Sequence, residues 1–209
     1  MQIADTIFVL AILIFSAIVH EVMHGVAAEW LGDKTARYAG RITLNPISHL
    51  DPVGSILLPL VLSLSRSPIL FAWAKPVPYN PYNLRPGRWS EAIVAGAGPA
   101  SNLVIALVCG LIIRLGVLGP DIGGVLFLVV VMNVMLCVFN LVPIPPLDGS
   151  KVLAALLPRG LAHQYGKWRA TLEMNPMIGM MIILFLVIGL GSYYSSFIYS
   201  VANIIAGMQ

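Results

Sequence analysis

The chain has 209 residues, of which 58% are hydrophobic and only 10% are charged, and its mean hydropathy is +0.89. Because a soluble domain carries about a quarter charged residues, this composition excludes that class and predicts a polytopic membrane protein. The formal net charge of +3 fits basic loops that orient membrane spans, so we expect no nucleic-acid partner.

The expected fold is an all-α helical bundle of about four to six membrane segments. Four stretches have the length and composition of membrane helices, namely 7–31, 92–118, 122–142 and 177–191. Two shorter apolar stretches, 53–64 and 193–206, fall below the ~20 residues that a spanning helix needs, so their crossing of the bilayer stays open. We expect residues 1–209 to form a single membrane-embedded domain, with a motif-bearing core at about 7–149 and C-terminal membrane segments at 175–207.

The first predicted span contains the sequence His20-Glu21-Val22-Met23-His24, an HExxH motif. A spacing of four residues puts both imidazoles on one helix face, where they can bind one metal ion. Glu21 is rotated by about 100° from His20, so it is expected to act on a metal-bound water as general base. Ionisable side chains inside an apolar span usually mark a functional site, and the alternative is an interfacial cluster that reaches water.

Two less regular segments follow the first span. Residues 34–46 alternate weakly around Gly40, which favours a short β-hairpin at the membrane interface. Pro59 interrupts the stretch 53–64, so we expect a re-entrant hairpin or an interfacial segment beside a water-filled cavity. His49 lies between these segments, and a solvated loop histidine is favoured over a supporting or gating role at the metal site.

The sequence Gly98-Pro99-Ala100-Ser101-Asn102 lies near the start of the second predicted span. Small residues at these positions favour close helix packing. An amide in an apolar helix needs a partner, so Asn102 either donates to the developing oxyanion of a substrate or forms hydrogen bonds within the bundle. The residue types alone leave both interpretations open.

A proline-rich segment, NLVPIPPLDG at 140–149, follows the third predicted span. Its prolines break the helix and leave an extended segment that ends at Asp148, and Gly149 permits a close approach just after the carboxylate. A catalytic zinc ion normally has three protein ligands and one open position, so Asp148 is the candidate to join His20 and His24. The alternative is that Asp148 caps a helix predicted over 151–157.

The distribution of basic residues predicts how the spans are oriented. If the segment 53–64 begins and ends on the same side, eleven of the twelve Lys and Arg residues lie at one membrane face and only Arg114 lies at the other. The positive-inside bias assigns the basic face to the cytoplasm. We therefore expect a multi-pass protein of a prokaryotic cytoplasmic membrane, with its active site open to the cytoplasmic side.

Four motifs in this order resemble those of the site-2 protease family of intramembrane zinc metalloproteases. They are HEVMH at 20–24, NPISH at 45–49, GPASN at 98–102 and NLVPIPPLDG at 140–149. The resemblance implies one zinc ion per chain held by His20, His24 and Asp148, with Glu21 as the catalytic base and Asn102 orienting substrate. It also implies that the substrates are single-span or membrane-associated proteins within the lipid bilayer. The chain has no room for an inserted PDZ or nucleotide-sensing domain, so we expect the compact form of the family.

The sequence therefore predicts a zinc-dependent intramembrane endopeptidase in which Glu21 removes a proton from the water that attacks a peptide carbonyl. One alternative is a membrane metal-binding or transport protein, which would not need Glu21. A second alternative is a catalytically silent homologue that acts as a scaffold. Such a protein normally lacks a metal ligand or the glutamate, and this chain has all four residues.

Overall fold

A computed structural model describes residues 3–51, 57, 61 and 75–208 of the chain. Helices follow one another along this part of the chain, with short 3-10 turns at Pro46–His49 and Pro81–Asn83. No β-strand occurs in these residues, so the predicted all-α class is confirmed. The helices are α1 (Ile3–Trp30), α2 (Thr35–Tyr38), α3 (Ser90–Arg114), α4 (Pro120–Asn140), α5 (Gly149–Leu156), α6 (Arg159–Met174) and α7 (Pro176–Ala206).

Four of the described helices, α1, α3, α4 and α7, are long and apolar enough to cross a membrane. The last of them differs from expectation, because the stretches 177–191 and 193–206 form one continuous helix, α7, of 31 residues. No proline interrupts the junction, and the serine hydroxyls near it bond to carbonyls of the same helix, as Ser195 does to Ser192 at 3.0 Å. At 1.5 Å per residue α7 is about 46 Å long, which exceeds the ~30 Å hydrocarbon core of a bilayer.

The helices α3, α4 and α7 share an apolar core built largely from small and β-branched residues. Small side chains let these helices approach closely, and a Cβ atom on Gly110 of α3 would lie 2.5 Å from Ile205 Cγ2 of α7. The buried members of this core are Ala106, Val130, Val131, Val134, Ile198 and Ala202.

Arg114, the basic residue that lies apart from the others, has a structural role at the far end of this bundle. Its guanidinium donates hydrogen bonds to the carbonyl oxygens of Ile204 and Ile205, with Nε 2.9 Å from the oxygen of Ile205. These carbonyls belong to the last turn of α7, which is followed by Gly207 with φ of +72°. The cation therefore caps the negative end of the α7 dipole.

The β-hairpin predicted over residues 34–46 is wrong, because this segment forms α2 followed by turns. The Asp33 carboxylate accepts a hydrogen bond from the backbone N–H of Thr35 at 3.1 Å and a second from its hydroxyl, which holds the first turn of α2. Gly40 then has φ of +64°, and the chain turns so that Arg41 N–H bonds to Ala36 O at 2.9 Å. The hydrogen bonds from Thr35 to Asp33 therefore favour a helical turn here over the strand that the weak alternation of the sequence predicted. The hairpin predicted around Pro59 falls outside the described residues and stays a prediction.

Asp33 also attaches the segment 75–84 to the end of α1. Its carboxylate is fully buried and accepts hydrogen bonds from Asn80 N–H at 2.6 Å and from Asn83 Nδ2 at 3.0 Å. Burial alone would raise the pKa of Asp33, but hydrogen bonds from Thr35, Asn83 and Asn80 outweigh it and hold the pKa below its usual value. This anchor matters because the same segment carries Val77 to the candidate site.

We predict that Asp33→Asn lowers the free energy of unfolding by about 1–3 kcal/mol at neutral pH. The substitution replaces one of the two accepting oxygens by an NH2 group, which would face N–H donors in a buried site. In the wild type this stabilisation is complete above the unfolded pKa of about 3.9 and is lost as pH falls through the lower folded value. Thermal unfolding in detergent at several pH values measures both effects. Asp121→Asn, at an exposed residue of the first turn of α4, is the control and should cost less than about 1 kcal/mol. Equal losses in the two variants would contradict the anchoring role.

Candidate metal centre

His20 and His24 lie one turn apart on α1, and their rings are in edge-to-face contact. The ring centroids are 4.7 Å apart and the ring planes are at 85°. His24 Nδ1 lies 2.7 Å from the backbone oxygen of Val94, and His20 Nδ1 lies 2.6 Å from Asn102 Oδ1. Because carbonyl oxygens only accept hydrogen bonds, each Nδ1 carries a hydrogen, so the neutral form of each ring has its lone pair on Nε2.

One face of α3 forms the wall behind both imidazoles. Val94, Gly98 and Asn102 follow at intervals of four residues, so they lie on the same side of the helix. Val94 and Asn102 accept the two Nδ1 hydrogens, and Gly98 lies between them. A Cβ atom on Gly98 would be 2.5 Å from His20 Nε2 and 2.6 Å from His24 Nε2. The absence of a side chain at Gly98 therefore leaves the space in which the two Nε2 atoms meet.

Asp148 approaches the same point from the other side. It stands at the N-terminus of α5, yet its side chain makes no capping hydrogen bond. Its Oδ2 atom instead lies 3.1 Å from His20 Nε2 and 3.2 Å from His24 Nε2. The geometry therefore gives no support to the capping alternative. The close approach expected at Gly149 is present, since a Cβ atom there would overlap the Leu141 carbonyl.

This donor set fits a zinc ion. Two imidazole nitrogens and one carboxylate oxygen converge on one point, and this set of nitrogen and oxygen donors is one that catalytic zinc ions use. Ligand atoms 2.0–2.2 Å from a tetrahedral zinc ion lie roughly 3.3 Å from one another, close to the distances from Asp148 to the two histidines. Burial alone would raise the pKa of Asp148, but its contacts with His20 and His24 outweigh burial and lower the pKa below its ordinary value. The carboxyl is thus ionised, as a metal ligand must be.

Glu21 is a second carboxylate near the histidines, and it is held differently. A Glu21 oxygen and one ring nitrogen from each of His20 and His24 lie within 4.8 Å of one another. Its Oε2 atom accepts a hydrogen bond from Val77 N–H at 2.9 Å, across a separation of 56 residues in the chain. The backbone of the segment 75–80 therefore holds Glu21 beside the cluster, whereas Asp148 contacts both rings.

A cavity of about 180 Å³ opens onto these side chains. Its walls include both histidines, both carboxylates, Val77, Tyr79, Asn140 and Lys151. Its volume is enough for several water molecules, so water can reach Glu21. A cavity was expected beside the segment around Pro59, and the described part of this one is formed by α1, α3, the segment 75–80 and the proline-rich segment.

Lys151 lines the cavity, although the sequence indicated for it only a contribution to the basic face of the membrane protein. It follows Asp148 by three residues on α5, so both side chains share one helix face. Its Nζ atom lies 5.1 Å from the centroid of the Tyr79 ring, within cation–π range. Burial alone would lower the pKa of Lys151, but the contacts with Tyr79 and the nearby Asp148 carboxylate outweigh burial. The pKa of Lys151 is therefore above its usual value, and the amine is charged.

Two other residues singled out from the sequence lie away from the cavity walls. Asn102 is fully buried and contacts His20, which is the second of the two roles left open for it. The expectation of a solvated His49 is wrong, because His49 is only 2% exposed. Its Nε2 donates to Thr43 O at 2.8 Å, and its own backbone oxygen accepts from Lys75 N–H at 2.9 Å. The folding of segment 75–80 over this loop therefore buries it.

The chain is similar to known proteins. Residues 117–186 match the family described as Peptidase family M50. The protein named "Putative zinc metalloprotease YwhC" from Bacillus subtilis is 35% identical over 191 residues, which cover 87% of this chain and 80% of that protein. "Putative zinc metalloprotease Rip2" from Mycolicibacterium smegmatis is 35% identical over 150 residues, or 70% of this chain and 56% of that protein. No solved structure matches the chain.

We predict that Gly98→Ala abolishes zinc binding, because the new methyl group would occupy the space beside the two Nε2 atoms. The matched control is Gly96→Ala on the same helix, where the nearest atom to the new methyl group is Val152 Cγ2 at 3.9 Å. Zinc per chain, measured by atomic absorption on purified protein, should be near one in the control and near zero in Gly98→Ala. A Gly98→Ala protein with full zinc would show that the two imidazoles do not meet as described.

Proposed function

Because this chain belongs to peptidase family M50 and is a zinc metalloprotease of the membrane, we propose that it cleaves other membrane proteins in or near their transmembrane segments. The observation that carries this proposal is the depth of the metal centre. His20 precedes the end of α1 at Trp30 by ten residues, or about 15 Å along the helix. A peptide bond that reaches this depth comes from a chain that is itself in the bilayer. We take residues 1–209 as one membrane-embedded protease domain.

We assign the zinc ion to His20 Nε2, His24 Nε2 and Asp148 Oδ2. When bound, zinc supplies Lewis acidity, which lowers the pKa of water toward ~7 and polarises a peptide carbonyl. The protein orients each proposed ligand through its own contacts. Val94 and Asn102 keep the imidazoles in the metal-binding tautomer, and the short helix α5 carries the carboxylate toward them.

Glu21 is the proposed general base. Its Oε2 atom is held by Val77 N–H, and Glu21 lines the cavity, which is large enough for several water molecules. Glu21 takes a proton from the attacking water as the new C–O bond forms at the peptide carbon. It then delivers that proton to the amide nitrogen as the C–N bond breaks, so the products are a carboxylic acid and an amine, which exchange the remaining proton to become a carboxylate and an ammonium group. Asp148 is directed at the histidines and is thereby reserved for the metal.

Lys151 is the proposed partner of the substrate carbonyl oxygen. Its ammonium group faces the cavity one helical turn after Asp148, and it makes no ion pair shorter than 4 Å with a carboxylate among the described residues. A charged donor aimed at the oxygen that becomes negative stabilises the transition state more than the ground state. Asn102 is too deeply buried for this role, and we treat it as a positioning residue for His20.

The proposed entrance for water is the face of the bundle where the described basic loops meet. The C-terminus of α1, the N-terminus of α3 and the proline-rich segment all lie at this end, and Arg114 lies at the other. By the positive-inside bias we propose that this face is cytoplasmic, in the cytoplasmic membrane of a prokaryote. The substrate helix would unwind locally here, because its backbone carbonyls are otherwise engaged in hydrogen bonds.

We predict that Glu21→Gln lowers the cleavage rate at least about 100-fold, because the amide cannot accept the proton of water. The assay uses purified protein in vesicles with a panel of single-span membrane segments fused to a reporter. Glu29→Gln is the matched control, since Glu29 is on the same helix and pairs with Arg37 near the membrane surface. A normal cleavage rate in Glu21→Gln would rule out Glu21 as the base, whereas a wild-type protein that cleaves no member of the panel would favour a metal-binding or transport role.

Zinc content separates the two carboxylates in the same preparations. Glu21→Gln should retain close to one zinc ion per chain, whereas Asp148→Ala should retain much less, because only Asp148 contacts both imidazoles. Loss of zinc from both variants would mean that Glu21 is also a ligand. Equal retention would mean that the third ligand lies elsewhere.

We predict that Lys151→Met slows cleavage by about 100-fold through kcat, with little change in zinc content, because methionine keeps the apolar stem and removes the charge. Lys167→Met, at an exposed position of α6, is the control and should cleave at the wild-type rate. Steady-state kinetics with the best reporter from the panel measure the split between kcat and KM. A change confined to KM would instead assign Lys151 to substrate binding.

A further inference from the structure

A chain of polar side chains extends from His20 into the apolar interior of the bundle. Asn102 on α3 and Asn133 on α4 are fully buried, and Ser16 on α1 is 6% exposed. A buried amide is costly in an apolar bundle unless its donors and acceptor are paired. All four amide hydrogens of the two asparagines have a partner, so these bonds determine which way each amide points.

A backbone carbonyl of α4 determines which way the first amide of this hydrogen-bonded series points. Asn133 Nδ2 donates to Val129 O at 2.9 Å, one turn earlier in the same helix, and to Ser16 Oγ at 2.9 Å. The Val129 oxygen can only accept, and the helix prevents it from turning. The amide nitrogen of Asn133 must therefore face it, which leaves Oδ1 of Asn133 facing Asn102.

Asn102 passes this orientation to the histidine. Its Nδ2 donates to Asn133 Oδ1 at 2.9 Å and to the backbone oxygen of Ser16 at 3.3 Å. Its Oδ1 is then left for His20 Nδ1 at 2.6 Å. If the Asn102 amide were reversed, its oxygen would face two acceptors, and each unpaired buried group would cost about 1–3 kcal/mol.

We infer that Asn133 is a positioning residue of the zinc site, because it sets the amide of Asn102 and thereby keeps the hydrogen of His20 on Nδ1. Only this tautomer leaves the Nε2 lone pair of His20 free for a metal ion. The inference rests on the proposed zinc site. His24 reaches the same state through direct contact with Val94 O. The two ligands therefore differ, since the tautomer of His24 depends on backbone and that of His20 depends on two side chains.

The test replaces Asn133 by leucine, which has a similar size but neither donates nor accepts hydrogen bonds. The Asn102 amide can then turn either way, so we expect the Kd for zinc to rise about 10–100-fold. Competition with a chelator on purified protein in detergent measures this Kd without any substrate. Ser101→Ala is the control, because that hydroxyl lies beside Asn102 and bonds only to Gly98 O of its own helix. Its Kd should equal that of the wild type.

Two further variants separate positioning from general destabilisation. Asn133→Asp should retain wild-type zinc affinity, because a buried, protonated acid still donates to Val129 O and accepts from Asn102. Asn133→Ser is used if the leucine variant fails to fold. Its hydroxyl can bond to Val129 O in its own helix but is too short to reach Asn102, so its Kd should rise as for leucine.

Nitrogen-15 NMR of histidine-labelled, metal-free protein reads the tautomer directly, in a background with His49 and His163 replaced by Gln. The hydrogen of His20 should sit on Nδ1 in the wild type and be shared between both ring nitrogens in Asn133→Leu, while His24 is unchanged. An unchanged Kd and tautomer in Asn133→Leu or Asn133→Ser would overturn this inference alone. Wild-type protein that binds no zinc would overturn the proposed function instead.

Discussion

The convergence of three lone pairs on one point inside an apolar bundle is the constraint on which the rest of this protein depends. Two imidazoles on α1 and the carboxylate that precedes α5 share that space, and the histidines cannot leave it for water, because α1 carries them into the bilayer. The surrounding structure fixes these atoms through hydrogen bonds to His20 and His24. The proposed zinc chemistry therefore starts from a site whose ligands need little rearrangement.

The helix α3 does most of this positioning with one face. Residues at intervals of four supply a backbone acceptor at Val94, an empty space at Gly98 and an amide acceptor at Asn102. Each of these acts on a histidine of α1 rather than on the substrate. The GPASN motif is thus best explained as a support for the metal site, with Gly98 and Asn102 as its working residues.

The reactive side of the site is built from a different part of the chain. Segment 75–80, anchored to α1 through Asp33, brings a backbone N–H to Glu21 and the Tyr79 ring to Lys151. A base and a cation then line the same cavity, while the ligand carboxylate is turned away toward the histidines. The proposed ligands and the proposed reactive groups therefore have separate supports.

The sequence by itself determined the membrane class, the existence of four spanning helices and the identity of the candidate site. These rest on composition, on the spacing of His20 and His24 and on the proline-rich stretch before Asp148, all of which are local. Local sequence patterns predicted the structure less well where hydrogen bonds at the ends of helices determine it. The predicted hairpin proved to be α2, and the two predicted C-terminal segments form the continuous helix α7.

Only the tertiary structure decided what depends on contacts between distant segments. The sequence left Asp148 as a cap or a ligand, and the structure places its carboxylate beside both imidazoles, 128 residues from His20, which favours the proposed ligand role. The sequence left Asn102 as a substrate donor or a bundle contact, and the structure places it against His20. Lys151 and Asn133 carried no sequence signal of their own. The physical reason is that an amide or an ammonium group takes its role from the partner it faces, and sequence spacing along one helix does not specify a partner on another.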